Sequence, residues 1–529
     1  MLLNLEKTAI YDFIKKWGVY LFFGGLLLLG FLIFRDYGMY YDDVFEHEHG
    51  RQVYNYVFHG NPELFSNVER YHGPLVEVTS VVLEKIFHLR DSRDIYLFRH
   101  GLVFLWFYAG VVFFYLLCKR FFGGKANALS ACLFLILSPR IFGHAFFNTK
   151  DIPAMAACIT SIFTFLLYFE NKNSPRLFWH AFACAISVAI RLTGIFVVFL
   201  TLAFLVIDFF NEKDDSAKRS LGEAILLYPC SFMAIVSLLW PVLLTNPPYE
   251  MIRAFKEVSH TAQCCECFYR GRYLDLPAPP WHYIPVWIAV STPLAYLIYS
   301  FIGIAAFVRD LAFKAVAWRV KRSYLVILLW FFMPIVTVIA LRCVIYNSWR
   351  HLYFIYPALV LIAAFGAGKV ARYLYVKNRL GFFALIVVTA FSLVSTALFM
   401  VRNHPLEYIY FNRLAGRNMV EAKARFEMDY WALSYRKGIE YLLDVDKSPK
   451  IKVFFADTDE SILLLPLKLR SRFDVVDFQD AQYYLTDFGG HMLSYPYGEL
   501  PQYPKDKIYS ARVDGAEVMA VYRLKLTDQ

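Results

Sequence analysis

Directly after its first hydrophobic run, Tyr20 to Phe34, the chain reads Tyr40-Tyr41-Asp42-Asp43-Val44-Phe45-Glu46-His47-Glu48-His49-Gly50. Carboxylates are costly to hold beside a bilayer, so an acidic cluster there calls for an explanation. Asp42 and Asp43 read as reactive carboxylates. Glu46, Glu48 and His49, taken singly, read equally well as a solvated first loop. On a helix Asp42, Glu46 and His49 share one face, as do Asp43 and His47, and either set could take zinc or a harder divalent ion. The run lacks strict ligand spacing. No cofactor is expected, and a divalent metal is the alternative left open.

The elements around these residues are those of a membrane protein. Of 529 residues, 58% are hydrophobic and only 19% charged, which excludes an ordinary soluble globular chain. Apolar runs recur near 20–35, 98–117, 127–141, 153–169, 177–190, 194–210, 223–244, 285–308, 324–343, 351–368 and 381–401. These are about eleven candidate helices, several near the roughly 20 residues needed to cross the hydrocarbon core. The block Leu177 to Phe210 is too long for one span, and Arg191-Leu192-Thr193-Gly194 splits it as a hairpin.

Basic residues set the expected orientation. Lys119, Arg120 and Lys125, then Lys172 and Arg176, then Lys213, Lys218 and Arg219 alternate with less basic segments. Arg309, Lys314, Arg319, Lys321 and Arg322 form the densest basic loop, followed by Lys369, Arg372, Lys377 and Arg379. With these cytoplasmic, the N-terminus is cytoplasmic too, and an odd number of spans places Arg402 to Gln529 outside. The net charge of +10 is mostly this topological signal and implies no nucleic-acid partner. Lys15 and Lys16 flank the first span without a small-residue cleavage site after it, so it reads as a retained anchor. Six of nine cysteines fall in or at the ends of spans, where a small apolar side chain suffices. Cys264, Cys265 and Cys267 cluster in an external loop with no second ligand group at zinc-site spacing.

Unusual residues collect in the external segments. The first, about 35–98, is too long for a connector. Within it Val76 to Leu89 has the pattern of an amphipathic helix lying along the interface, delivered there by a turn at Arg70-Tyr71-His72-Gly73-Pro74. The second carries Ser138-Pro139-Arg140, His144 and Asn148-Thr149-Lys150-Asp151-Ile152-Pro153. The third, Thr245 to Tyr283, is rich in Pro, Tyr and Arg, and the fourth is Tyr346-Asn347-Ser348-Trp349-Arg350-His351. After the last span the material changes. Pro449 to Asp457, Phe473 to Phe478 and Ala481 to Phe488 read as short strands, Lys507 to Leu524 as a hairpin turning at Asp514-Gly515, and Ser434 to Leu443 as a helix. The expected organisation is a polytopic α-helical domain over 1–401 and a small extracytoplasmic α/β domain over 402–529.

An acidic pair after the first span, a long external loop and Asn-x-Lys-Asp-x-Pro before a later span resemble the GT-C membrane glycosyltransferases. The likeness is to the branch holding protein O-mannosyltransferases and the aminoarabinose transferase of lipid A. Tyr346 to Tyr353, with its Tyr-x-x-x-Arg-His core, is similar to that branch's external Arg-His motif. Leu276 to Pro293, then His404-Pro405-Leu406-Glu407-Tyr408-Ile409-Tyr410-Phe411-Asn412 and Asp429-Tyr430-Trp431, continue the likeness to about residue 435.

The resemblance implies an inverting transferase of hexosyl or pentosyl units, using a polyprenyl-phosphate sugar and a lipid, glycan or protein acceptor. It implies a bacterial inner membrane and chemistry on the outer face. Nucleotide sugars are cytoplasmic, and the chain has no Gly-rich nucleotide loop. By position the catalytic carboxylate falls on Asp42. Asp43 takes the second acidic place, where many relatives carry Glu. A leaving phosphate calls for fixed cations: Arg350 with His351 first, then Lys150 and Arg191. Asp151 and Tyr346 fall in the substrate pocket. The competing class is a multi-span transporter or flippase of a lipid-linked or anionic substrate. Against it stand the absence of internal repeats and the placement of charges at span ends on one side.

Overall fold

The computed structural model describes residues 2–260, 267–274, 279–313, 316–488 and 506–524. The first hydrophobic run belongs to α1 (Leu2–Ile33), which releases the chain into an extended stretch ending at α2 (Asp43–His59). Asp42 occupies the N-cap position of α2, and Gly60, at φ 69°, ends it with the left-handed residue a helix C-terminus favours. α3 (Leu75–Ile86) follows, then α4 (Ser92–Phe122), whose first turn is capped by the Asp91 carboxylate accepting from Arg93 N at 2.9 Å.

The bundle continues through α5 (Lys125–Ile136), α6 (Pro139–His144), α7 (Asp151–Glu170), α8 (Ser174–Ile190), α9 (Ile195–Asn211), α10 (Asp215–Leu239) and α11 (Pro247–His260). A two-stranded ribbon of β1 (Cys267–Tyr269) and β2 (Arg272–Leu274) precedes α12 (Tyr283–Ser291), α13 (Leu294–Phe313), α14 (Trp318–Leu341), α15 (Tyr356–Lys377) and α16 (Arg379–Asn403). Among the described residues nine helices are long and apolar enough to span a membrane: α1, α4, α7, α9, α10, α13, α14, α15 and α16. The two shorter apolar helices are α5 and α8.

The break expected at Arg191 is present, with Arg191 extended and Leu192–Gly194 forming a 3₁₀ turn. The run 285–308, expected as one helix, is two. Pro293 lacks the N–H that would continue α12, and Thr292 before it is extended. α13 and α15 cross closely at Gly303 and Gly366, where a Cβ on either would collide with the other helix's backbone carbonyl. α7 is the most enclosed span, 78% of its apolar window buried against 17% for α1 and α16. It packs against α4 and α8 and makes a rigid post for whatever stands at its N-terminus.

The amphipathic helix expected over Val76 to Leu89 is α3, Leu75–Ile86. Glu77, Ser80 and Glu84 are buried, while Ile86 and Phe87 just beyond are about 60% exposed. Glu77 and Glu84 turn into the protein, where buried Arg99 meets them, beside the buried Val76 and Val81.

The tail holds α17 (Met419–Lys423), α18 (Tyr435–Val445) and a five-stranded sheet in the order β4-β3-β5-β7-β6. Its strands are β3 (Ile451–Phe455), β4 (Phe473–Val475), β5 (Tyr483–Thr486), β6 (Asp506–Val513) and β7 (Ala516–Arg523). β3 is parallel to β4 and β5, and β7 runs antiparallel to β5 and β6. The expected strands, helix and closing hairpin are all found. The hairpin turns at Asp514 (φ 42°) and Gly515 (φ 86°), the positive-φ pair of a tight two-residue turn. The sheet is joined to the bundle near α1 and α4. Ser92 Oγ donates to Leu463 O at 3.0 Å, and Met39 N donates to Ser461 Oγ at 3.4 Å.

Candidate active site

The start of α2, the start of α7, the 3₁₀ turn Arg350–Ile355 ahead of α15, and the tail near residue 430 converge on one place. Asp42 keeps 35% of its side-chain surface open, and its Oδ2 lies 3.7 Å from Arg350 Nη2. Packed surroundings push the Asp42 carboxyl above the ordinary carboxylate range, with Arg350 pulling against that shift. Arg350 is almost fully buried. Its Nη1 lies 3.5 Å from Asp151 Oδ2, and its guanidinium stacks on Trp431 at 4.6 Å and Tyr346 at 5.0 Å. Two carboxylates and two aromatic faces thus fix one planar cation.

Asn148 prepares the start of α7. Its Oδ1 accepts from Asp151 N at 2.8 Å and Lys150 N at 3.2 Å, as a capping side chain does, and its Nδ2 donates to Asp151 Oδ2 at 2.9 Å. Asp151 also pairs with Arg191 from the end of α8. Lys150 Nζ lies 3.1 Å from Glu46 Oε1, one turn along α2 from Asp42. Burial alone would raise the Glu46 carboxyl, but Lys150 and the Thr149 and Tyr40 hydroxyls more than offset it and leave it lowered. Glu46, Glu69 and Glu77 in turn hold the Lys150 ammonium above its ordinary range against burial.

His351 stacks edge-on against Tyr346, ring centroids 4.7 Å apart. The tail also reaches this site. Trp431 lies over Tyr40 at 4.7 Å as well as over Arg350, and the Asp429 carboxylate before it accepts from Ser434 N at 2.9 Å, Leu433 N at 3.2 Å and the Tyr408 hydroxyl. His144 sits behind, its Nδ1 3.0 Å from Asn148 Nδ2 and its Nε2 within 3.2 Å of the Tyr353 and Tyr430 hydroxyls.

Asp43 is elsewhere. It is fully buried, with Oδ1 3.4 Å from Arg99 Nε, and the other two nitrogens of Arg99 meet Glu77 and Glu84. His47 Nε2, one turn further along α2, lies 2.9 Å from Glu84 Oε2. Successive residues on a helix point about 100° apart, which lets Asp42 face Arg350 while Asp43 turns to Arg99. The residues weighed as metal ligands are accordingly divided: Asp43 and His47 inward, Glu46 against Lys150. Among the described residues no three His, Cys, Asp or Glu side chains are gathered to hold an ion. Cys264 and Cys265 lie outside the described residues; Cys267 is buried and accepts from Asn347 N at 3.3 Å.

The structure therefore gathers Asp42, Lys150, Asp151, Arg191, Tyr346, Arg350 and His351, and sets Asp43 apart. Sequence reasoning missed Arg99, although an arginine inside an apolar run is a signal in itself. It also missed Glu69 and His72, paired at 2.5 Å in the turn before α3, where they act electrostatically on Asp42, Lys150 and His351. His72 draws the Glu69 carboxyl down to about 2.

Residues 72–247 match the model of the dolichyl-phosphate-mannose-protein mannosyltransferase family. A search of curated proteins finds no match. Among solved structures, ArnT from Cupriavidus metallidurans in the apo state is similar at a TM-score of 0.51 and 13% identity, over 96% of this chain and 98% of that one. The same protein bound to undecaprenyl phosphate aligns at 0.49 and 14%, over 97% and 99%. Arabinofuranosyltransferase AftD from Mycobacteria aligns at 0.38 and 12%, over 86% of this chain and 37% of that one. The chain is an integral membrane protein with the GT-C fold, and it resembles the protein mannosyltransferase and aminoarabinose transferase branch of the GT-C glycosyltransferases.

Proposed function

We propose that this protein is an inverting glycosyltransferase that moves a sugar from a polyprenyl-phosphate donor to an acceptor hydroxyl on the outer face of a bacterial inner membrane. The observation that carries this reading is the pairing of a partly open carboxylate, Asp42, with a buried arginine, Arg350, 3.7 Å away. Asp42 takes the acceptor O–H proton, the acceptor oxygen bonds to the anomeric carbon, and the carbon–oxygen bond to phosphate breaks with its electron pair leaving on the phosphate. Arg350 receives that growing charge with Lys150 and Arg191 beside it. A raised carboxyl pKa makes Asp42 a better base than an ordinary carboxylate.

Arg350, Lys150 and Arg191 already face carboxylates, so an incoming phosphate competes with Asp151 and Glu46 for the same cations. The family matched over residues 72–247, described by its dolichyl-phosphate-mannose donor, supports a lipid-phosphate donor here. In this reading residues 1–401 hold the donor, the N-terminus is cytoplasmic, and the segment from 402 covers the cavity through Trp431. The acceptor is a lipid, a glycan or a protein. The test is incubation of purified protein with labelled polyprenyl-phosphate sugars and membrane extract. Label in a new covalent product is the expected result; label moved across a vesicle without a new bond would make the protein a transporter.

A further inference from the structure

The buried network behind Asp42 contains more carboxylates than cations. Asp43, Glu46, Glu77 and Glu84 meet Arg99 from α4, Lys150 from the start of α7 and the His47 imidazole. At its centre Thr149 Oγ1 lies 2.9 Å from Glu77 Oε1 and 2.8 Å from the Tyr40 hydroxyl, and it also meets Glu46 Oε2, which Tyr40 reaches as well. Four oxygen–oxygen contacts share only the two hydroxyl protons of Thr149 and Tyr40, since an ionised carboxylate only accepts. A third proton is needed to satisfy more of them. Glu46 is the poorer carrier because Lys150 lies against its other oxygen. Glu77 shares its one ion-pair partner, Arg99, with two further carboxylates, and Lys150, which also acts on it, is paired to Glu46.

We infer that Glu77 is held as a neutral carboxylic acid whose O–H donates to Thr149, so that Thr149 donates to Glu46 and fixes Lys150 beside Asp42. Glu77 touches no substrate in this scheme and is a positioning residue. Its other oxygen, Oε2, accepts from Arg99, a contact that an un-ionised carbonyl keeps in weaker form while Asp43 and Glu84 supply the guanidinium's negative partners. Arg99 in the same grip holds Asp43, and with it the start of α2, so one buried guanidinium sets the positions of both Asp42 and Lys150. The direction of titration agrees. Burial pushes the Glu77 carboxyl up to about 7, with Arg99 opposing and Glu46 adding to the rise. A group raised in the fold stabilises it below that value and withdraws the stabilisation as pH rises through it.

The test compares wild type, Glu77→Gln and Glu77→Ala as purified full-length protein. Glutamine has an N–H in place of the proposed O–H and keeps the carbonyl for Arg99. The unfolding temperature of wild type should fall between about pH 4.5 and about pH 7 with the slope of one proton, and the same fall should be absent in Glu77→Gln. Glu77→Ala should unfold at lower temperature at every pH. As a second readout, the infrared carbonyl band of a protonated carboxyl should be present in wild type and lost in Glu77→Gln. An unchanged pH slope in Glu77→Gln, or destabilisation equal to that of Glu77→Ala, would overturn the proposal by showing that Arg99 needs the anion. The consequence for rate rests on the transferase reading: the alkaline limb of transfer should be flatter in Glu77→Gln than in wild type. Unfolding and infrared measurements need no turnover, so a protein that transfers no sugar but follows the predicted slope would sink the transferase reading alone.

Discussion

Asp42 and Asp43 are consecutive residues that belong to opposite sides of the protein. One keeps 35% of its side-chain surface open, 3.7 Å from Arg350; the other has no solvent exposure and lies 3.4 Å from Arg99. The start of α2 is the partition between them. A chemical site and the buried ion cluster that holds it in place are thus built from adjacent positions, and mutation separates them.

Asp42→Asn should cut transfer of labelled sugar by about 10²–10⁴-fold, the contribution of a positioned general base. Asp43→Asn should act through the fold, because it weakens a buried charge cluster without touching the cavity. Its expected signature is a lower unfolding temperature with residual turnover. A dead but fully stable Asp43→Asn would move the base one residue along.

Asp42 also sets up a conflict between stability and chemistry. Its carboxyl is raised in the fold, so ionising it weakens the native state as pH rises through the folded value. Transfer runs the other way and should be lost as pH falls through that value, since the base must be ionised. Asp42→Asn removes the ionisation and should therefore melt at higher temperature than wild type near neutrality. Calorimetry and a pH–rate profile on the same preparation check both signs.

Arg350→Ala should weaken binding of polyprenyl phosphate as well as rate, because the contact with phosphate exists before reaction. Lysine should rescue it only in part, since it lacks the planar fork that meets Asp42 and Asp151 together. Trp431→Ala should give a milder version of the same binding defect. A cation–π contact of this kind contributes roughly 0.5–2 kcal/mol, depending on how dry it is. Binding of lipid phosphate measured by fluorescence quenching separates these variants from Asp42→Asn, which should bind normally.

Lys150 and Glu46 form a buried pair, so either half alone is harmful to lose. Lys150→Gln should destabilise the protein by about 3–5 kcal/mol by leaving Glu46 unpaired in the interior. Adding Glu46→Gln should recover part of that loss, and a double-mutant cycle on unfolding free energy reads the coupling directly. Additive effects would mean the two side chains do not meet.

Much of this was legible in the chain. Apolar length and spacing gave the membrane class and the positions of most spans, because a helix in lipid must satisfy its own backbone and cover itself with apolar side chains. Turn chemistry at Asp514-Gly515 and alternation from Ile451 onward gave the tail its sheet. The stretches around Asp42, Lys150-Asp151 and Arg350 stood out as polar residues at span ends, and the fold brings all of them together. The division of labour within them was not legible. Asp42 and Asp43 have the same side chain and adjacent numbers, and only the phase of α2 against α4 sends one to Arg350 and the other to Arg99. Which face of α3 is buried was not legible either: an amphipathic pattern says that two faces differ, and Arg99 on α4 meets Glu77 and Glu84 inside the protein. Trp431 reaches Arg350 across 81 positions of sequence only because the chain returns over the cavity after α16. Local pattern fixes elements, and long-range packing of charge against charge assigns their roles.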